Sequence, residues 1–413
     1  MSRDLAHLLR RGEVLAVTAA PGGQRLVHLA LVQLACGTEA LGRFANDLSI
    51  AMMLGLFSAV GWSALVLARV PVAGPGQAAP VMLGLARGAL LFTLLACLPL
   101  PLLAHFGWVF EPGWTALLLA GWTAYTLIRH FGLALGHYRT LLVLETALVV
   151  ALGAGLLVLG ARVPTMAYAA FAVPTALVGL AGLVLLALRS RPLGGAQPLP
   201  LGSGRTAAEQ ATLNLVSGGM SMILVPLTVQ LAGERYGGLV ALIGSLTSIL
   251  LLFPRALSFN ALPALARALQ QQGGAEARSL LAALRRSLFR VNSGLTVVAA
   301  AAWTGMTVWG ERPDFALAGA SLIFLLQLAS FYVGQMVLPE ANYLQTVEET
   351  RLPLQVNLAS LALFVAACAC VMALLPRGAV AVQGLFAVLL GATVFRNLLL
   401  RRAVLRRAPE VFA

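Results

Sequence analysis

The chain has no lysine: all 28 basic residues among its 413 are arginine. A glycine-rich phosphate loop ending in lysine is therefore excluded, and with it a nucleotide site of that kind. Only four cysteines occur, Cys36, Cys97, Cys368 and Cys370, each inside an apolar stretch. Their spacing fits neither a metal-ligand set nor an exposed disulfide framework, so neither metal nor cofactor is expected. Five histidines, His7, His28, His105, His130 and His137, are scattered over separate segments. No Ser-His-Asp or paired-carboxylate constellation follows from them, and no enzyme is expected. Charge is scarce as well, at 10% of residues against 60% hydrophobic, with a mean hydropathy of +0.89. A soluble domain could not hide that much apolar surface from water, so lipid is the expected solvent.

What is present is a succession of apolar runs of about 20 residues, the length that crosses a bilayer core as a helix. They predict twelve helices at roughly 14–37, 45–68, 80–104, 113–137, 140–161, 164–188, 208–232, 238–262, 287–309, 314–338, 353–375 and 378–400. The fold class is all-α, a polytopic membrane protein of about twelve spans. Arg3, Arg10 and Arg11 before a short apolar run resemble a signal peptide, but Pro21-Gly22-Gly23 is followed by more apolar sequence. A first helix without cleavage is the expectation. Connections are short, leaving no sizeable extramembrane domain for separate chemistry.

A net charge of +13 would suggest nucleic acid in a soluble protein, but here the arginines mark topology. An even number of helices puts both termini on one side, and 17 arginines fall on that side. The opposite side holds Arg43, Arg162, Arg235, Arg312 and Arg377, with Glu39, Glu111, Glu234, Glu311 and Asp314 nearby. Both termini are therefore expected in the cytoplasm, in a bacterial inner membrane, with membrane lipids and no nucleic acid as partners.

An internal repeat is legible. Gly37-Thr38-Glu39-Ala40-Leu41-Gly42 closes the first predicted helix and Ala232-Gly233-Glu234-Arg235-Tyr236-Gly237 the seventh, and the helices that follow end at Arg69 and Arg267. Two six-helix bundles of like orientation follow, 1–195 and 196–413, with a cavity expected between them.

On Glu39-x-x-Gly42 through Arg69, and on Gly233-Glu234-Arg235-Tyr236-Gly237 through Pro254, Pro263, Gly273-Gly274 and Ala275-Glu276-Ala277-Arg278, the sequence resembles the multidrug/oligosaccharidyl-lipid/polysaccharide exporter superfamily. Within it the resemblance is to the polysaccharide, or O-antigen-type, flippases. It implies a V-shaped pair of bundles and alternating access. The implied cargo is an undecaprenyl-diphosphate-linked sugar, with glycan polymerase machinery as a protein partner.

Six arginines fall within predicted spans: Arg25, Arg87, Arg129, Arg255, Arg290 and Arg396. Arginine at the bilayer centre costs ~2.5 kcal/mol or more, so a buried one faces a partner or a wet cavity. Arg129, Arg290 and Arg396 lie near the cytoplasmic boundary, where snorkelling is the simpler reading. Arg87 is deeper, and either reading applies. Arg25 is near the middle of its helix, with Gln24 and His28 on the same face. The Pro21-Gly22-Gly23 segment is expected to break that helix and open backbone groups toward a cavity. Arg255 follows Pro254 in the eighth helix, a hinge beside a cation. Only Asp47 and Glu145 are acids within the spans, as pairing partners or coupling sites. Embedded arginine in excess of acid points to an anionic cargo, since guanidinium matches diphosphate oxygens in bidentate fashion. Arg25 and Arg255 are the first candidates to hold it, with Arg87, Arg290, Gln24 and His28 behind them. A cation or drug antiporter of the MATE type is the main alternative, and the paucity of acids counts against it. A glycan polymerase or transferase would need a substantial outer catalytic loop, which is missing. Residues 275–290, with Leu280, Leu281, Leu284 and Leu288 on one face, read as a basic helix at the interface or, more simply, as a positive-inside determinant leading into the ninth helix.

Overall fold

The computed structural model of the protein describes residues 3–74, 76–159, 165–190, 196–199, 202–271, 274–309, 317–347, 349 and 351–412. Gly273, Arg162, Arg191 and Arg312, Glu311 and Asp314 lie outside the described residues. Among those described there is helix and no strand. α1 (Arg3–Cys36) runs unbroken through Pro21-Gly22-Gly23, so the expected break does not occur. Gly37 then turns the chain into α2 (Thr38–Gly55), one π-helical turn over Leu56–Val60, and α3 (Gly61–Arg69). α4 (Ala78–Cys97), α5 (Leu100–His105), α6 (Pro112–Ala134), α7 (Tyr138–Leu159) and α8 (Met166–Ser190) follow. The second half comprises α9 (Ser203–Met222), α10 (Leu224–Ala232), α11 (Glu234–Leu250), α12 (Leu252–Gln271), α13 (Gly274–Trp309), α14 (Ala320–Gln335), α15 (Leu338–Thr346), α16 (Arg351–Leu374), α17 (Ala379–Arg407) and α18 (Pro409–Phe412).

Nine helical stretches among the described residues are long and apolar enough to cross a membrane, and a pair bent by 63°, Ser203–Leu215 with Gly219–Ala232, makes a tenth. The other two of the twelve predicted spans are the more polar α1 and α6, which carry Arg25 and Arg129. Residues 275–290 lead directly into the ninth predicted span as the start of the continuous α13 and form no separate interfacial helix, with Leu281, Leu284 and Leu288 buried.

Contacts divide the chain into two compact units, Met1–Ala241 and Leu242–Ala413. The expected halves are 1–195 and 196–413; the packing boundary falls later because α9, α10 and the start of α11 pack within the first unit. In that unit, Trp62, Leu65 and Val66 of α3 pack with Met82 and Leu85 of α4 and Leu127 of α6. Small residues bring α6 and α8 together: a Cβ at Gly121 would stand 2.9 Å from the Ala176 backbone. In the second unit Leu265, Ala277 and Leu281 close around Ala408 and Val411, while Val337, Leu344 and Val356 close around Leu400 and Val404.

The repeat is visible in the backbone, at a register one residue from the sequence match. Gly37 has φ 86° and ψ 173°, and Gly233 has φ 84° and ψ 175°, a left-handed turn that glycine adopts at no steric cost. Six-residue turns therefore align as Gly37 to Gly42 on Gly233 to Gly238, rather than Glu39 and Gly42 on Glu234 and Gly237. The two turns also touch reciprocally. A Cβ at Gly42 would run into the Glu234 carbonyl, and one at Gly238 into the carbonyl of Thr38. Each glycine thus admits the backbone of the opposite turn, and Arg43 reaches across to Glu234 at 2.5 Å.

Candidate functional site

α1 carries the polar patch. Arg25 stands 11 residues before Cys36, about 16 Å along the helix. Its side chain is half-buried, and its Nε has no hydrogen-bond partner. Gln24 and His28 are buried at 3% and 1% exposure. The His28 ring lies between Phe44 at 4.9 Å and Phe171 at 4.7 Å, beside the Ala167 backbone, and neither ring nitrogen makes a hydrogen bond of good geometry. Phe44 also meets Tyr168 at 5.3 Å, whose hydroxyl donates to Asp47 at 3.1 Å. The three α1 residues thus share one helix, and His28 touches the aromatic cluster that leads to Asp47.

Both acids of the predicted spans have partners. Asp47, completely buried, accepts from the backbone N–H of Phe110 at 3.1 Å and of Glu111 at 2.8 Å, from Asn46 at 2.9 Å and from Tyr168. Four donors converge on the carboxylate and tie α2 to the segment that starts α6. Glu145 on α7 receives Arg129 Nε at 2.9 Å on the oxygen that also takes the Tyr125 hydroxyl, while its other oxygen is buried without a partner. Arg129 does not snorkel: it is 8% exposed, and its Nη2 donates at 2.6 Å to the carbonyl of Val17 on α1. Both acids therefore act as pairing partners, Asp47 with backbone and side-chain donors rather than with an arginine.

The other cations stand apart. Arg87 is exposed on α4, on one stripe with the exposed Leu91, Leu94 and Leu98. Arg255, in the second unit, is exposed just past the α11–α12 break and three residues before the end of the apolar stretch Glu234–Ser258. It is closer to that end than its place beside Pro254 suggests. Arg290 is exposed on α13, and its one polar contact is a 3.4 Å approach to Arg286 of the same helix. Among the described residues no carboxylate pairs with Arg25, Arg87, Arg255 or Arg290.

Sequence reasoning missed a buried acid in the second unit. Glu340 on α15, 2% exposed, takes Arg285 at 2.9 Å, and two residues on Asn342 bonds Ser258 of α12 through both its side-chain oxygen and nitrogen. The signal available was a carboxylate at the end of an apolar run with a basic helix elsewhere in the same half. No group of His, Cys, Asp and Glu able to hold a metal occurs among the described residues.

The geometry of solved proteins agrees with this architecture. No family model matches the chain, and no curated protein matches its sequence. Solved structures do. An inward-facing multidrug resistance MATE family transporter of the MOP superfamily aligns over 96% of this chain and 95% of its own, with TM-score 0.66 and 12% identity. The eukaryotic MATE transporter AtDTX14 aligns over 95% and 93%, at 0.64 and 14%. The Vibrio cholerae MATE transporter VcmN, as a point variant, aligns over 97% and 96%, at 0.59 and 15%. The chain thus has the MATE transporter fold over nearly its whole length, that of a multi-pass membrane protein.

Proposed function

We propose that this protein is a secondary transporter that carries a lipid-linked anionic glycan, of the undecaprenyl diphosphate type, from the inner to the outer leaflet of a bacterial cytoplasmic membrane by alternating access. The observation that carries this reading is Arg25: a half-buried guanidinium with no carboxylate, in a unit whose embedded acids, Asp47 and Glu145, already have partners. A cation coupled to Asp47 would have to displace donors that hold it. An anion meets an unpaired guanidinium, with Gln24 and His28 beside it as polar neighbours. Arg255, exposed in the second unit and near the end of its apolar stretch, is the other sequence candidate and is tested beside it. A negative-inside potential favours outward movement of an anion by roughly 2.3 kcal/mol per charge per 100 mV.

The test replaces Arg25 and Arg255 singly with Ala at equal expression and measures lipid-linked sugar reaching the outer leaflet. Loss of arrival in Arg25→Ala is expected; normal arrival in both variants refutes the assignment. The multidrug transporters that share this fold favour a second reading, a cation or drug antiporter. Ethidium efflux from cells carrying only this transporter decides for it.

A further inference from the structure

The proline in α1 has a partner far away in sequence. In an α-helix the N–H of residue 21 would donate to the carbonyl of residue 17. Pro21 has no N–H, and its ring crowds that same carbonyl. A stranded carbonyl in lipid costs several kcal/mol unless a neighbouring helix supplies a donor. The Val17 carbonyl is the one that receives Arg129 Nη2, at 2.6 Å. The guanidinium is held for this task by its other edge, where Nε meets Glu145 at 2.9 Å, and Tyr125 one turn earlier on α6 braces the same carboxylate oxygen. Three helices, α1, α6 and α7, meet in one buried fork.

We propose that Arg129 is a positioning residue: it replaces the hydrogen bond that Pro21 removes and so sets the course of α1 beyond Pro21, and with it the place of Arg25. The fork geometry is essential to this role. Lysine offers a point charge that satisfies Glu145 or Val17 and cannot bridge both. Without the bridge, α1 kinks at Pro21. A kink of ~20°, the scale of a proline bend, moves Arg25 by about 2 Å and Leu34, 13 residues beyond Pro21, by about 7 Å. The consequence for transport rests on the reading of Arg25 as the cargo contact. The positioning itself does not, and the measurement below contains no cargo.

Spin labels at Leu34→Cys on α1 and Val143→Cys on α7, both exposed, report the course of α1 in protein whose four native cysteines are replaced by Ser. Arg129→Lys is expected to shift or broaden the distance distribution by several ångströms. Pro21→Ala, which restores an N–H for Val17, is expected to leave the distribution unchanged alone and to return it to the original in the Pro21→Ala/Arg129→Lys double variant. If Arg129→Lys does not fold, Arg129→Gln/Glu145→Gln removes both charges together and is compared with and without Pro21→Ala. A distribution unaltered by loss of the guanidinium, or altered and not restored by Ala at position 21, overturns the proposal. Rescue by Pro21→Ala is the readout that a merely packing role for Arg129 does not produce.

Discussion

The reciprocal contact between the two glycine turns makes a prediction whose sign can be worked from the coordinates. Gly→Ala inside a helix ordinarily stabilises by ~1 kcal/mol, because alanine loses less conformational freedom on folding. At Gly42 the new Cβ would lie 2.6 Å from the carbonyl carbon of Glu234, and at Gly238 3.2 Å from the backbone nitrogen of Gly42. Carbon contacts are comfortable at about 3.5–4.0 Å, so the helices must part by roughly 1 Å, and the opposing atoms are backbone that no rotamer change can withdraw. Overpacking of this kind costs ~1–3 kcal/mol, enough to reverse the intrinsic gain. Gly244 lies two turns along the same α11 and would place its Cβ in open space, with nothing within 4 Å. Gly244→Ala is therefore the internal control. Thermal unfolding in detergent, followed by loss of the monodisperse peak, should rank the proteins with Gly244→Ala above the parent, and Gly42→Ala and Gly238→Ala below it by similar amounts. Were Gly42→Ala and Gly238→Ala as stable as Gly244→Ala, the close two-fold contact would not exist.

Two other outcomes follow from the hydrogen-bond pattern. Asp47→Asn exchanges an acceptor that faces four donors for a side chain with an NH2 of its own, so at least one buried donor loses its partner; a loss of about 1–3 kcal/mol in stability is expected, measured by the same melting assay. Glu349, outside the spans, receives the N–H of Leu352 and then the guanidinium of Arg407, which hold its carboxyl below the usual carboxylate range. Since the folded value is the depressed one, this contribution is complete above about pH 4.3, the unfolded value, and is lost as pH falls through the folded value. Melting between about pH 3 and 7 should therefore show a smaller acid-side drop in Glu349→Gln than in the parent, and equal drops would refute the contact.

The long apolar runs made the helices legible, and glycine beside glutamate made the repeat legible. Its register was not, because the eye aligns Glu39 with Glu234 while the backbone aligns Gly37 with Gly233. Glu145 was readable as an acid in need of a partner, and Arg129 as a cation near a boundary. That they meet could not be read, nor that the guanidinium's second edge serves Val17, because the pairing depends on how α6 crosses α1 and α7. The same holds for Pro21: by sequence it signals a break, and it fails to break α1 because the missing donor is supplied from 108 residues away. Two of the donors to Asp47 are backbone groups of Phe110 and Glu111, which carry no side-chain signature at all.

Symmetry clarifies what the turn contact requires. In the backbone register the mate of Gly42 is Gly238 and the mate of Thr38 is Glu234, while the mate of Arg43 is Leu239. The ion pair of Arg43 with Glu234 therefore has no counterpart on the other side of the pseudo-axis, where Leu239 takes the place of Arg43 and Thr38 that of Glu234. With side chains 51% and 23% exposed it contributes at most about 1 kcal/mol, and less in salt. The glycines, by contrast, are present on both sides, because the approach of two backbones leaves space for no other residue. The seam is held by shape on both sides and by charge on one, so salt should weaken the ion pair and leave the turns in contact.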